Sequence, residues 1–118
     1  MTLNPDQYRL PDTEHRAIFE NRITPHIFAG ASPVDKPVAV IFGGQPGAGK
    51  SMTVDAAVKE LAQRGGAVQI IGDEFRNYHK HYDRLMDRND KTAAFYTDRD
   101  TGKWVEMAIA HAKELRVN

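Results

Sequence analysis

Apolar positions along this chain change their spacing several times, and each change predicts an element. Ala17, Ile18, Ile23, Ile27 and Phe28 recur at roughly helical intervals, which predicts a helix from about Asp12, with Asp12 or Thr13 available to cap it. Pro25 predicts a break in that helix, with Thr24 capping the second piece. Val38–Phe42 (VAVIF) is instead a continuous β-branched and aromatic run, the pattern of a buried strand, and Ala67–Ile71 (AVQII) predicts a second one. Between them Val54, Ala57, Val58 and Leu61 share one face of a helix over Met52–Arg64, which Gly65-Gly66 should end. The polar and aromatic stretch Glu74–Asp87 reads as helix, break, helix. Arg88–Asp100 reads as a loop with some helical potential. Thr101–Leu115 is amphipathic, with Trp104, Val105, Ala108, Ile109, Ala112 and Leu115 on its apolar face. Met1–Pro11 reads as an irregular arm, and Gly30–Pro37 as a linker.

Strand, loop, helix and strand in that order predict a βαβ unit with a right-handed crossover and a parallel sheet. Ligands of such sheets sit at the carboxyl ends of the strands, where Gly44–Ser51 and Asp73 both fall. The first of these stretches carries the sharpest chemical signal. Gly44-Gln45-Pro46-Gly47-Ala48-Gly49-Lys50-Ser51 fits the phosphate-binding pattern G-x-x-x-x-G-K-[ST], with a strand-like run before it and a helical one after. Glycines let the backbone approach a ligand closely, so that successive N–H groups can cradle phosphate oxygens at a helix N-terminus. Lys50 is placed to reach the β- and γ-phosphates, and the Ser51 hydroxyl to complete a Mg²⁺ shell. ATP and Mg²⁺ are the expected cofactors. The expected class is therefore α/β, a three-layer P-loop NTPase of kinase type with a parallel sheet.

Composition narrows the setting more than the chemistry. The chain has 118 residues, sixteen basic against sixteen acidic side chains, and no cysteine. Zero net charge gives no global attraction to nucleic acid or to an anionic membrane. The lack of cysteine excludes disulfides and thiolate metal sites and suits a reducing compartment. No apolar run is long enough to span a bilayer, and the polar N-terminus lacks a signal-peptide core, so a cytoplasmic protein is expected.

Four further residues have competing readings. Asp73, directly after the second strand-like run, could accept the proton of an attacking hydroxyl, hold Mg²⁺ through water, or cap a helix starting at Glu74. Glu106 is the acid nearest the middle of the amphipathic helix, and pattern alone favours an exposed surface glutamate there. Arg76 and His79 belong to a basic–aromatic cluster with Lys80, His81, Arg84, Tyr78 and Tyr82. A nucleic-acid patch is one reading, and a solvated helix face interspersed with Asp83 and Asp87 is the better one. His79 and His81, two apart, do not share a helix face, and no third ligand stands out, so a zinc site is not expected.

GGQPGAGKS, then IIGDEFRNYHKHYDRL, then YTDRDTGKWVEMAIAHA, in this order and spacing, resembles the zeta toxin family from roughly Val38 onward. The resemblance implies a P-loop kinase of a bacterial toxin–antitoxin system that phosphorylates UDP-N-acetylglucosamine with ATP and so blocks cell-wall synthesis. It implies that Lys50 and Ser51 bind the ATP phosphates and Mg²⁺, that Asp73 is the general base, and that Glu106 lies on the substrate-binding helix. Arg76 and His79 would border the substrate groove, and a small helical epsilon-like antitoxin would block the nucleotide site. The family's later strand, with its E-G-T-x-R-like motif, and its arginine-bearing lid have no counterpart in this sequence. The expected organisation is thus an arm and helix over residues 1–37, followed by the N-terminal part of a kinase domain over 38–118, truncated after the first βαβ unit and its following helices. The alternatives are a non-catalytic remnant that binds nucleotide or antitoxin, and another small-molecule P-loop phosphotransferase.

Overall fold

The computed structural model describes residues 3–41 and 50–118, with the backbone alone at Lys50 and Ser51. Helices α1 (Asp12–Ile18) and α2 (Thr24–Ile27) are joined by a wide π-type turn over Phe19–Ile23. Pro25 explains the wide turn: it has no N–H to return to the carbonyl four residues back, and the chain accommodates this without leaving the helical path. After α3 (Lys50–Ala62) come the short α4 (Gly72–Phe75), a 3₁₀ turn (Arg76–Tyr78), α5 (Tyr82–Arg88) and the long α6 (Asp90–Leu115). Among the described residues no helix is long and apolar enough to cross a membrane.

The expected parallel sheet is not found: the described residues are helical or irregular and form no strand. Residues 38–41 and 67–71 carry the side chains of strands but lack a ladder, and a strand exists only through the bonds it shares with a neighbour. The Val38 N–H is taken by the Asn118 side chain at 3.0 Å, and the Val68 N–H by the Asn118 carbonyl at 2.8 Å. Val38, Val40 and Ile41 are exposed, Ile41 at 91%.

Residues 90–100, expected as a loop, are helical. Asn89 caps this helix, its Oδ1 accepting the Lys91 N–H at 3.0 Å and its carbonyl accepting the Thr92 N–H at 3.2 Å. The buried stripe of α6 is Ala93, Thr97, Asp100, Thr101, Trp104 and Ala108, a regular helical repeat. Three of those six are polar, which disguised the stripe in the sequence. Ile109 and Leu115, expected on the apolar face, are exposed.

The described residues pack as two units. One comprises the chain up to Ala29 with Ile70–Ala110. Its core is Leu10, Phe19, Ile23, Phe75, Trp104 and Ala108, with Ile18, Ile27, Ile70, Tyr78, Val105 and Met107 packed around it. Burying such side chains contributes about 1.5–3 kcal/mol each. The other unit comprises Gly30–Gln69 with His111–Asn118. There α3 ends as its sequence requires, with Gly65 and Gly66 at positive φ and the Gly66 N–H returning to the Leu61 carbonyl at 2.8 Å. Asn118 ties this unit together, its Nδ2 donating to the carbonyls of Arg64 (3.0 Å) and Gly66 (2.8 Å).

Candidate functional site

Gly72 is the place where extended chain becomes helix, since Ile71 before it has φ −117° and ψ 105°. A Cβ added to Gly72 would meet Val105 Cγ2 at 3.6 Å, so α4 starts directly against α6. Asp73 and Glu106 are the residues that follow this contact along α4 and α6. Both are exposed. The Asp73 side chain makes no capping bond at the start of α4, and the helix begins before Glu74, so the capping reading does not hold.

What Asp73 does contact is Arg76. Three residues apart, the two share a helical face, and Arg76 Nη1 donates to Asp73 Oδ1 at 2.9 Å. Arg76 Nη2 donates to Asp98 Oδ1, also at 2.9 Å. The Arg76 side chain is only 23% exposed, against 85% for Asp73 and 57% for Asp98. Burial alone would lower the Arg76 pKa, but the hydrogen bond and charge of Asp98, followed by the charge of Asp73, raise it above its ordinary value. The guanidinium is thus a fixed cation between two carboxylates, and Asp73 keeps a second oxygen open to solvent. Chemically, the arrangement offers a carboxylate that is oriented yet accessible, as a proton acceptor needs to be. Asp98 had no role assigned from sequence, because an acid in the polar run TDRD carries no distinguishing signal.

His79 lies elsewhere. Its side chain has no exposure, and Nε2 donates to Asp100 Oδ2 at 2.8 Å. The His81 backbone N–H donates to His79 Nδ1 at 3.2 Å, so Nδ1 is unprotonated and the proton is on Nε2. Both nitrogens are engaged inside the protein, and the ring braces Asp100 instead of bordering a groove. Asp100 Oδ2 also accepts the Leu10 N–H at 3.0 Å, which fastens the N-terminal arm to α6. His15 completes this buried cluster, donating from Nε2 to the Asp100 carbonyl at 2.8 Å and stacking on Trp104 at 4.6 Å.

A polar cavity of about 210 Å³ opens beside that cluster, with Arg9, Arg99, Lys103, Asp6 and Asp12 on its walls. Its charges answer one another: Arg99 grips Asp6 at 2.9 and 3.0 Å, while Arg9 and Lys103 approach Asp12 at 3.5 and 3.6 Å. Among the described residues no group of three histidine or acidic side chains is arranged to hold a metal. Gly44, Gln45, Pro46, Gly47, Ala48 and Gly49 lie outside the described residues. Lys50 and Ser51 are the first two residues of α3, whose first turn holds no acidic side chain.

A family model described as zeta toxin matches residues 24–118. This chain belongs to the zeta toxin family. Toxin PezT of Streptococcus pneumoniae is 37% identical over 89 residues, which cover 75% of this chain and 34% of that protein. Toxin zeta of Enterococcus hirae is 28% identical over 105 residues, covering 86% of this chain and 36% of that one. A solved chain from the PezAT chromosomal toxin–antitoxin system of Streptococcus pneumoniae superposes with a TM-score of 0.83 at 32% identity, covering 94% of this chain and 45% of that one. The chain spans about a third of the length of the curated zeta toxin relatives it matches.

Proposed function

We propose that this chain carries the nucleotide-binding and proton-accepting residues of a zeta-toxin kinase, which transfers the γ-phosphoryl of ATP to a hydroxyl of UDP-N-acetylglucosamine in the cytoplasm. The observation that carries this reading is the exposed Asp73 carboxylate, oriented by Arg76. The acceptor hydroxyl oxygen attacks the γ-phosphorus and the bond to the β-phosphate oxygen breaks. ADP leaves, and Asp73 takes the hydroxyl proton. Glu106 and Arg76 would position the sugar nucleotide. Residues 44–49, with Lys50 and Ser51, would hold the phosphates. A helix that opens at Lys50 without an acid in its first turn favours an anion there. Mg²⁺, held through Ser51, would neutralise phosphate charge. An antitoxin of helical character is the proposed partner, supported by the toxin–antitoxin system to which the solved neighbour belongs.

The test is incubation of the chain with MgATP and UDP-N-acetylglucosamine, read by mass spectrometry, alongside Asp73→Asn. Phosphorylated sugar nucleotide from the parent and none from the variant supports the proposal. A folded chain that binds MgATP or antitoxin yet yields no product supports binding without transfer.

A further inference from the structure

Arg76 poses a question that the kinase reading leaves open. An arginine whose side chain is three-quarters buried needs a reason to stay where it is, the more so because its Nε is buried without a hydrogen-bond partner. Asp73 is a poor anchor. It sits three residues away on a four-residue helix, and its side chain is almost wholly in water, where such a pair is worth at most about 1 kcal/mol. Asp98 is a better one. It stands in the third turn of a 26-residue helix, fixed by the buried Thr97 before it and the buried Asp100 after it. It lies twenty-two residues from Arg76 in sequence, so it joins two elements rather than two turns of one. Its hydrogen bond is also the largest favourable influence on the arginine's charge.

We infer that Asp98 is a positioning residue: by holding Arg76 Nη2 from α6 it fixes the guanidinium, and through Nη1 it fixes the orientation of the Asp73 carboxylate. The chain of contacts runs from a rigid helix through a largely buried cation to an exposed acid. Asp98 acts through Arg76, to which it is hydrogen-bonded. Its effect is to hold Asp73 Oδ1 in place, leaving the other oxygen aimed outward. Orientation of this kind matters, because misplacing a reacting group by about 1 Å can cost about a hundredfold in rate. The catalytic consequence rests on the kinase reading; the positioning itself does not.

Nitrogen-15 and carbon-13 NMR of the chain and its Asp98→Asn, Asp98→Glu and Arg76→Gln variants separates the two. In the parent, Arg76 held at both ends should show separate Nη1 and Nη2 resonances. In Asp98→Asn these should merge as the guanidinium rotates freely, and the Asp73 carboxyl resonance should move toward its position in Arg76→Gln. Asp98→Glu, which keeps the charge, should recover part of both signals. Resolved Nη resonances and an unmoved Asp73 signal in Asp98→Asn, with Arg76→Gln still shifting Asp73, would overturn the inference. In the transfer assay Asp98→Asn should lower kcat roughly ten- to a hundredfold. An Asp98→Asn variant with parent kcat would likewise count against it. A parent chain that transfers nothing removes the kinase reading alone, and the resonances then decide the positioning role.

Discussion

His79 donates its Nε2 proton to Asp100 at 2.8 Å, with both side chains buried. This is the central polar contact of the larger unit. It joins the turn after the Arg76–Tyr78 segment to α6, and through the second donor on Asp100 it also holds Leu10 of the arm. A buried carboxylate is costly unless its oxygens are answered, and this one is answered by an imidazole and a backbone N–H. Burial acts to raise the Asp100 pKa, but the His79 hydrogen bond, the Leu10 N–H and the nearby imidazoles of His79 and His15 bring the net value below the ordinary range.

A folded-state pKa held below the unfolded one stabilises the protein above the unfolded value, about 3.9 for aspartate, and that stabilisation is lost as pH falls through the folded value. Asp100→Asn should therefore cost about 1.5–3 kcal/mol at neutral pH, the range for hydrogen bonds to a charged group. It should also flatten the decline in stability on acidification below about pH 4. Urea unfolding of parent and variant between pH 3 and 7 reads both effects. Equal slopes on the acid side would show that Asp100 is not the titrating group.

His81 should act in the same direction at higher pH. Burial, followed by the neighbouring His79 and the charges of Lys80 and Arg84, lowers its pKa, and Glu14 opposes them only in part. The unfolded chain then takes up the proton more readily, so stability is full above about pH 6.5 and falls as pH drops below it. His81→Phe keeps a ring against Tyr8, whose centroid lies 5.5 Å away, and removes the titration. Thermal unfolding at pH 7.5 and pH 5.5 should show a smaller acid loss in the variant than in the parent.

Trp104 is the sole tryptophan in the sequence and has no exposure. Its emission should be blue-shifted and resistant to iodide quenching in the folded chain, and should redshift on unfolding. The indole Nε1 donates to the His15 carbonyl at 3.0 Å while its face stacks on the His15 ring. Trp104→Phe removes that bond and some of the stack, and should cost about 1–3 kcal/mol by urea unfolding followed by circular dichroism. A loss near zero would mean that α1 is not anchored through this contact.

Much of the helical framework could be read from spacing alone. Val54, Ala57, Val58 and Leu61 marked α3, and Trp104 with Ala108 marked the later half of α6. The earlier half was missed because Thr97, Asp100 and Thr101 occupy core positions: Asp100 is buried against partners distant in sequence, Leu10, His15 and His79, and Thr97 returns its hydroxyl to the Ala93 carbonyl of its own helix. The strand reading failed for a related reason. β-branched runs describe what a strand would bury, whereas a sheet depends on pairing, and the described residues of 38–41 and 67–71 have no ladder. In the candidate site Asp73 and Arg76 were visible as an acid and a base three residues apart. Asp98 was not, since only the fold brings it to Arg76.

Two glycines of opposite character give the last prediction. Gly65 has φ +100°, and a Cβ there would come within 2.5 Å of Val34 Cγ1, a clash on top of a left-handed backbone. Val34 cannot simply swing away with its chain, since its N–H is bonded to the Arg116 carbonyl at 2.9 Å, and Arg116 in turn donates to the Asp35 carbonyl at 2.7 Å. Gly65→Ala should therefore destabilise by about 1–3 kcal/mol, the cost of a strained backbone position. Gly102 lies within α6 with open space around the site of a Cβ, and its backbone is already helical. Gly102→Ala should stabilise by about 0.5–1 kcal/mol through the smaller entropy lost on folding. Parallel urea titrations compare the pair directly. If Gly65→Ala did not destabilise, the C-terminal turn of α3 would not be packed on Val34 in solution.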